Sequence, residues 1–131
     1  MKPEAQAWLK IAHEDTAAAE LLLQSGMHRM VCFHSQQAVE KTLKALLAEC
    51  AIEFKRTHNI VDLLSSVRSQ GLVVDVNHEE AGFLNAVYRS RYPAEAGLLP
   101  HGEPTAGDAE KALALARRVV AQGRGLLDRR G

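Results

Sequence analysis

Phe33-His34-Ser35-Gln36-Gln37-Ala38-Val39-Glu40-Lys41-Thr42-Leu43-Lys44-Ala45-Leu46-Leu47 reads as one uninterrupted helix, with no proline or glycine to break it. Two faces are visible in it. Val39, Leu43, Leu46 and Cys50 recur at helical spacing and form a core face. Gln37, Glu40, Lys41 and Lys44 fall at i, i+3, i+4 and i+7 and share a neighbouring polar face. The simplest account of that face is solvation, with a Glu40–Lys44 pair along the helix that contributes a few tenths of a kcal/mol. The alternative is that these polar groups are kept for a site.

The segments on either side are also helical. The first runs from about Pro3, which suits an opening turn, to Gln24, with Ser25-Gly26 as its stop. Trp8, Ile11, Ala12, Ala19, Leu22 and Leu23 make its apolar stripe. The second extends from near His28 to about Ala51. Thr57 or Asn59 caps a third, carrying Ile60, Leu63, Leu64 and Val67 to Gly71. Asn77 with Glu80 three residues on opens a fourth, which holds Phe83, Val87 and Tyr88 and cannot continue past Pro93. The last begins near Thr105 and shows Ala109, Ala112, Leu113, Ala116, Val119, Val120 and Leu127. Leu72-Val73-Val74-Asp75-Val76 is the longest strand-like stretch and reads as a connector. The expected fold is all-α: an up-and-down bundle of about five helices forming one domain over 1–131, with segments one, two and five packed antiparallel.

Composition narrows the function classes. The 16 Lys and Arg offset 16 Asp and Glu, so no global charge advertises a nucleic-acid coat protein. From Lys111 onward basic residues dominate, which suits either phosphate attraction or the negative end of a terminal helix. Cys32 and Cys50, 18 positions apart on one helix, stand ~27 Å from each other at ~1.5 Å rise per residue. That is too far for a disulfide, and unpaired thiols suit a reducing compartment. Met1-Lys2-Pro3-Glu4-Ala5-Gln6 has no apolar leader core, and no apolar run reaches membrane-spanning length. A cytoplasmic protein is expected. His13, His28, His34, His58, His78 and His101 are scattered without ligand spacing, so neither a metal nor another cofactor is expected.

The order Gln-Ala-x-Glu-Lys-x-Leu-Lys-Ala-Leu, then Thr57-His58-Asn59, then Arg91-Tyr92-Pro93, resembles the HEPN domain, a small all-helical family. The resemblance runs from about Trp8 to the alanine-rich last helix. It implies two functional patterns. Members that are metal-independent ribonucleases carry an Arg, four to six residues, then a His, between the fourth and fifth helices. The guanidinium neutralises the scissile phosphate and the imidazole moves protons. Here Arg89 or Arg91 fills the arginine place, but His101 lies nine residues beyond Arg91 and eleven beyond Arg89, counting those between. Arg29 and His34 have the spacing in the wrong helix. An Arg91–His101 ribonuclease toxin is therefore the alternative reading.

The second pattern fits better: small members that partner a minimal nucleotidyltransferase in a toxin–antitoxin-like pair and bind nucleotide or RNA. It implies a binding surface of Lys41, Lys44, His58, Arg89, Arg91 and Tyr92, with cations for phosphate and an aromatic ring for a base. Tyr92 is also a possible acceptor of nucleotidyl modification. A homodimer is expected, and a purely structural dimerisation domain is the third reading. Each nominated residue also has a structural use: Glu40 and Lys44 pairing along their helix, His58 hydrogen-bonding at a helix start, Arg91 on the carbonyls ending the fourth helix, and Tyr92 packing with its hydroxyl at the surface.

Overall fold

The structure is a computed structural model describing residues 1–54, 56–89 and 102–130. Its helices are α1 (Pro3–Gln24), α2 (His28–Glu49), α3 (Ile60–Ser69), α4 (His78–Arg89) and α5 (Ala106–Arg130), with no strand among the described residues. Among the described residues, no helix is long and apolar enough to cross a membrane.

Local chemistry sets the helix ends. Gly26, at φ 70°, closes α1: its amide donates to the Leu23 carbonyl and that of Met27 to the Leu22 carbonyl. α2 ends by the same pattern at Ala51, φ 56°, with the Ala51 amide on the Ala48 carbonyl and the Ile52 amide on the Leu47 carbonyl. The helix thus stops at Glu49, short of the expected Ala51. Asn59 caps α3 through bonds from the amides of Val61 and Asp62. The amides and side chains of Asn77 and Glu80 bond reciprocally at the start of α4, 3.0 and 2.8 Å long. Thr105 and Asp108 repeat that arrangement at α5.

α2 is the central helix and touches each of the other four. Residues 35–40 and 42–48 are all buried, so this helix has almost no solvent side. The core gathers Leu43, Leu46 and Leu47 of α2 with Ile60, Leu63, Leu64, Leu84 and Leu127 from α3, α4 and α5. Leu72, Val74 and Val76 of the connector alternate inward while Val73 is exposed. Gly123 lets α5 approach α2 closely, because a Cβ there would collide with Cγ2 of Thr42.

Three expectations about packing change. Ile11 is 40% exposed, and Leu9 and Ala5 take inward positions on α1 instead. Cys50 is half-buried at the end of α2 while Cys32 is fully buried. α1 and α2 are antiparallel, with Asp15 meeting His34 and Lys2 meeting Glu49. α5, however, runs in the same sense as α2. Glu103, just before it, meets Arg29 at the start of α2, and Gly123 meets Thr42 further along. α3 and α4 stand between α2 and α5 in the chain, so the two long helices are not consecutive and need not be antiparallel.

Candidate functional site: a buried glutamate and the cations it holds

Glu40 has no solvent exposure, and the expected polar face of α2 closes around it. The Lys44 ammonium donates to its Oε2 at 3.0 Å and the Lys41 ammonium at 3.4 Å. The other oxygen, Oε1, lies 2.8 Å from Nδ1 of His58. Gln36 and Gln37 approach the same oxygen at 3.4 and 3.5 Å, and the Gln37 amide also donates to Oε1 of Gln36 at 2.7 Å. Lys41 is held by Oε1 of Gln37 at 2.6 Å. Burial alone would push the Glu40 carboxyl up. The hydrogen bonds from His58 and Lys44, with the charges of Lys44 and Lys41, more than offset it and hold it below the usual carboxylate value.

His58 reaches Glu40 because the start of α3 is fixed from two sides. Asn85 of α4 accepts the Ile60 amide at 2.8 Å and donates to the Asn59 side chain at 2.9 Å. Gln36 of α2 then donates to the His58 carbonyl at 3.1 Å. The ring is stacked on Tyr88 of α4, centroids 4.8 Å apart, and Tyr88 is stacked in turn on Phe33 of α2 at 6.1 Å. An ionised carboxylate only accepts, so Nδ1 of His58 carries a proton toward Glu40. The side chain is 56% exposed, and the proton on Nδ1 leaves Nε2 as the acceptor nitrogen of the ring. One carboxylate against two ammoniums leaves a formal surplus of positive charge before His58 is counted.

The nominated residues are thus distributed unevenly. Lys41, Lys44 and His58 converge on Glu40. Their heads are partly committed: Lys44 is 9% exposed and Lys41 17%. Arg89 is the last residue of α4, exposed and directly after Tyr88. Arg91, Tyr92 and His101 lie outside the described residues. The Arg29–His34 pair divides, Arg29 bonding Glu103 at 2.8 Å and His34 bonding Asp15 at 2.9 Å. Cys32 is no nucleophile: burial, with Asp108 nearby, pushes its thiol up to about 12. Among the described residues, no group of three or more His, Cys, Asp or Glu is placed to hold a metal ion. Sequence reasoning did not single out Gln36, Phe33 or Tyr88 for this cluster. An aromatic residue in α4 one position before Arg89 was the available signal for Tyr88.

Four helices packed around a central α2 agree with comparison to known proteins. The HEPN domain family model matches residues 5–125, and the chain belongs to that family. It is similar to TT1696 from Thermus thermophilus, whose crystal structure has 32% sequence identity and a TM-score of 0.77 over 95% of this chain and 98% of that one. It is also similar to ST0689, an archaeal HEPN homologue, at 25% identity and a TM-score of 0.69 over 97% of this chain and 99% of that one. Comparison with curated proteins finds no match.

Proposed function

We propose that this chain is a nucleotide- or RNA-binding helical module, working as a homodimer and as the partner of a minimal nucleotidyltransferase. The observation that carries the binding reading is His58. Its backbone is held by Gln36, its Nδ1 by buried Glu40 and its ring face by Tyr88, while the far side of the ring stays exposed. The contacts that hold the ring fix the direction of its second nitrogen ahead of any ligand. With Nδ1 donating to Glu40, that nitrogen is an acceptor and suits a hydroxyl or amino group of a nucleotide, while Lys41 and Lys44, with Arg89 at the end of the same helix as Tyr88, supply cations for its phosphate. Family membership supports the reading, since HEPN domains are often nucleotide- or RNA-related and often dimeric. Arg91 and Tyr92 are proposed to extend this surface.

The test is fluorescence anisotropy of a labelled single-stranded RNA with the wild-type chain, His58→Ala and Lys41→Ala. Wild type is expected to bind, and each variant to bind more weakly by about three- to tenfold, the loss of one hydrogen bond for His58→Ala and of one charge-assisted contact for Lys41→Ala. Absence of binding by the wild type would overturn the reading. The same samples, incubated with RNA in EDTA alongside Arg91→Ala and His101→Ala, address the ribonuclease alternative. Intact RNA is expected; cleavage lost in both of those variants would replace the binding module with a nuclease.

A further inference from the structure

A second feature lies on the other side of Lys44, where α1, the end of α2 and the following loop meet. The left-handed turn at Ala51 sends the chain back toward α1. Phe54 then meets Trp8 of α1 edge to face, with centroids 6.2 Å apart and planes at 60°. The two half-buried rings form a corner in a groove of about 610 Å³, whose polar lining is Lys44, Arg56, Glu4 and Glu53. That volume lies within the range of small-molecule sites. The Lys44 ammonium stands 5.4 Å from the Trp8 ring centre and 5.9 Å from that of Phe54, so the cation bonded to Glu40 also lines this groove.

The lining selects its ligand by chemistry. An aromatic corner open to a groove suits a flat π-system, which stacks on one ring and meets the edge of the other. Two exposed carboxylates accept hydrogen bonds from N–H groups, as carboxylates do from the amino groups of bases. The Arg56 guanidinium in the lining suits an anionic group, and the Lys44 ammonium near both ring centres opposes a cationic ligand there. A bare inorganic anion or an aliphatic phosphate has no flat face to lay on the rings. We infer that the groove binds a nucleoside phosphate with an amino-bearing base. The base lies on Trp8 and Phe54, its amino edge faces Glu4 or Glu53, and its phosphate faces Arg56. This inference rests on the nucleotide-binding reading above but uses a different set of side chains, joined to the His58 site through Lys44.

Trp8 is the chain's one tryptophan, so it reports this groove alone. The full chain is titrated with AMP, GMP and inorganic tripolyphosphate while tryptophan emission is followed, with free tryptophan correcting for nucleotide absorption. A saturable change with AMP or GMP, and none with tripolyphosphate, is expected. Phe54→Leu keeps an apolar side chain but removes the ring, and Arg56→Gln removes a surface cation. Each is expected to weaken binding by about tenfold, in line with the loss of one stacking or charged contact, with helical circular dichroism unchanged. No saturable change, an equal change with tripolyphosphate, or affinities unaltered in both variants would overturn the groove assignment. Failure here with intact RNA binding by anisotropy removes only the groove, whereas failure of both removes the binding reading itself.

Discussion

At the scale of single residues, Glu40 has the largest consequences. A carboxylate with no solvent exposure holds two lysines and a histidine, so neutralising it leaves buried ammoniums without their counter-charge. Glu40→Gln is expected to cost about 3 kcal/mol at pH 7, read from urea unfolding midpoints. The pH dependence has a definite sign. Because the folded carboxyl sits below the ordinary glutamate value of 4.5, its contribution is fully present above that pH and is lost as pH falls through the folded value. The gap between wild type and Glu40→Gln should therefore narrow below about pH 4.5; a gap constant down to pH 3 would contradict the ionised, bonded state. Ala51 offers a second test. A left-handed alanine at φ 56° carries strain that glycine does not. Ala51→Gly should raise stability by about 0.5–1 kcal/mol in the same unfolding experiment.

At the scale of elements, the parallel contact of α2 and α5 depends on small side chains. Gly→Ala in an exposed helix ordinarily stabilises by about 1 kcal/mol. At Gly123 the sign should invert, because the added methyl would enter the space of Cγ2 of Thr42. A loss of about 1–3 kcal/mol is expected from this overpacking. Thr42→Ser, which removes that methyl but keeps the hydroxyl bonded to the Ala38 carbonyl at 2.8 Å, should recover most of it in the double variant. Thermal unfolding of the two single variants and the double variant measures the effect, and a stabilised Gly123→Ala would mean the helices are not in that contact.

Helix ends are the most legible part of this chain because their signals are local. Ser25-Gly26 and Asn77 with Glu80 do in the structure what their types require. The end of α2 is less legible, since alanine is a helix former and gives no sign that Ala51 turns left-handed. Ile11 fits the apolar stripe of α1 by spacing yet lies outside the core, because a helical stripe is wide and the neighbouring Leu9 and Ala5 fit it as well. The sense of α5 is not legible, because no local signal on α5 says which end of α2 it meets. Lys41, Lys44 and His58, grouped on one surface by resemblance, do lie together. Their common partner is not legible, since His58 reaches Glu40 only after Asn85 of α4 fixes the start of α3. Trp8 reads as core stripe and Phe54 carries no signal of its own; their meeting depends on the turn at Ala51.

At the scale of the whole molecule, the chain is a neutral helical domain whose central helix is buried on nearly every side and holds a polar knot there. Unpaired, a carboxylate in that position would be strongly destabilising, and solvated lysines would hold phosphate without it. The arrangement fixes cations and an imidazole in place ahead of any ligand, which lowers the ordering cost of binding. The most direct measurement is the salt dependence of RNA affinity, taken by anisotropy from low to physiological salt for wild type and His58→Ala. Binding through phosphate contacts predicts that log affinity falls linearly with log salt at a slope of about −0.7 per contact on a single strand, and that His58→Ala binds more weakly throughout. An RNA affinity indifferent to salt, or equal in the two proteins, would contradict the account.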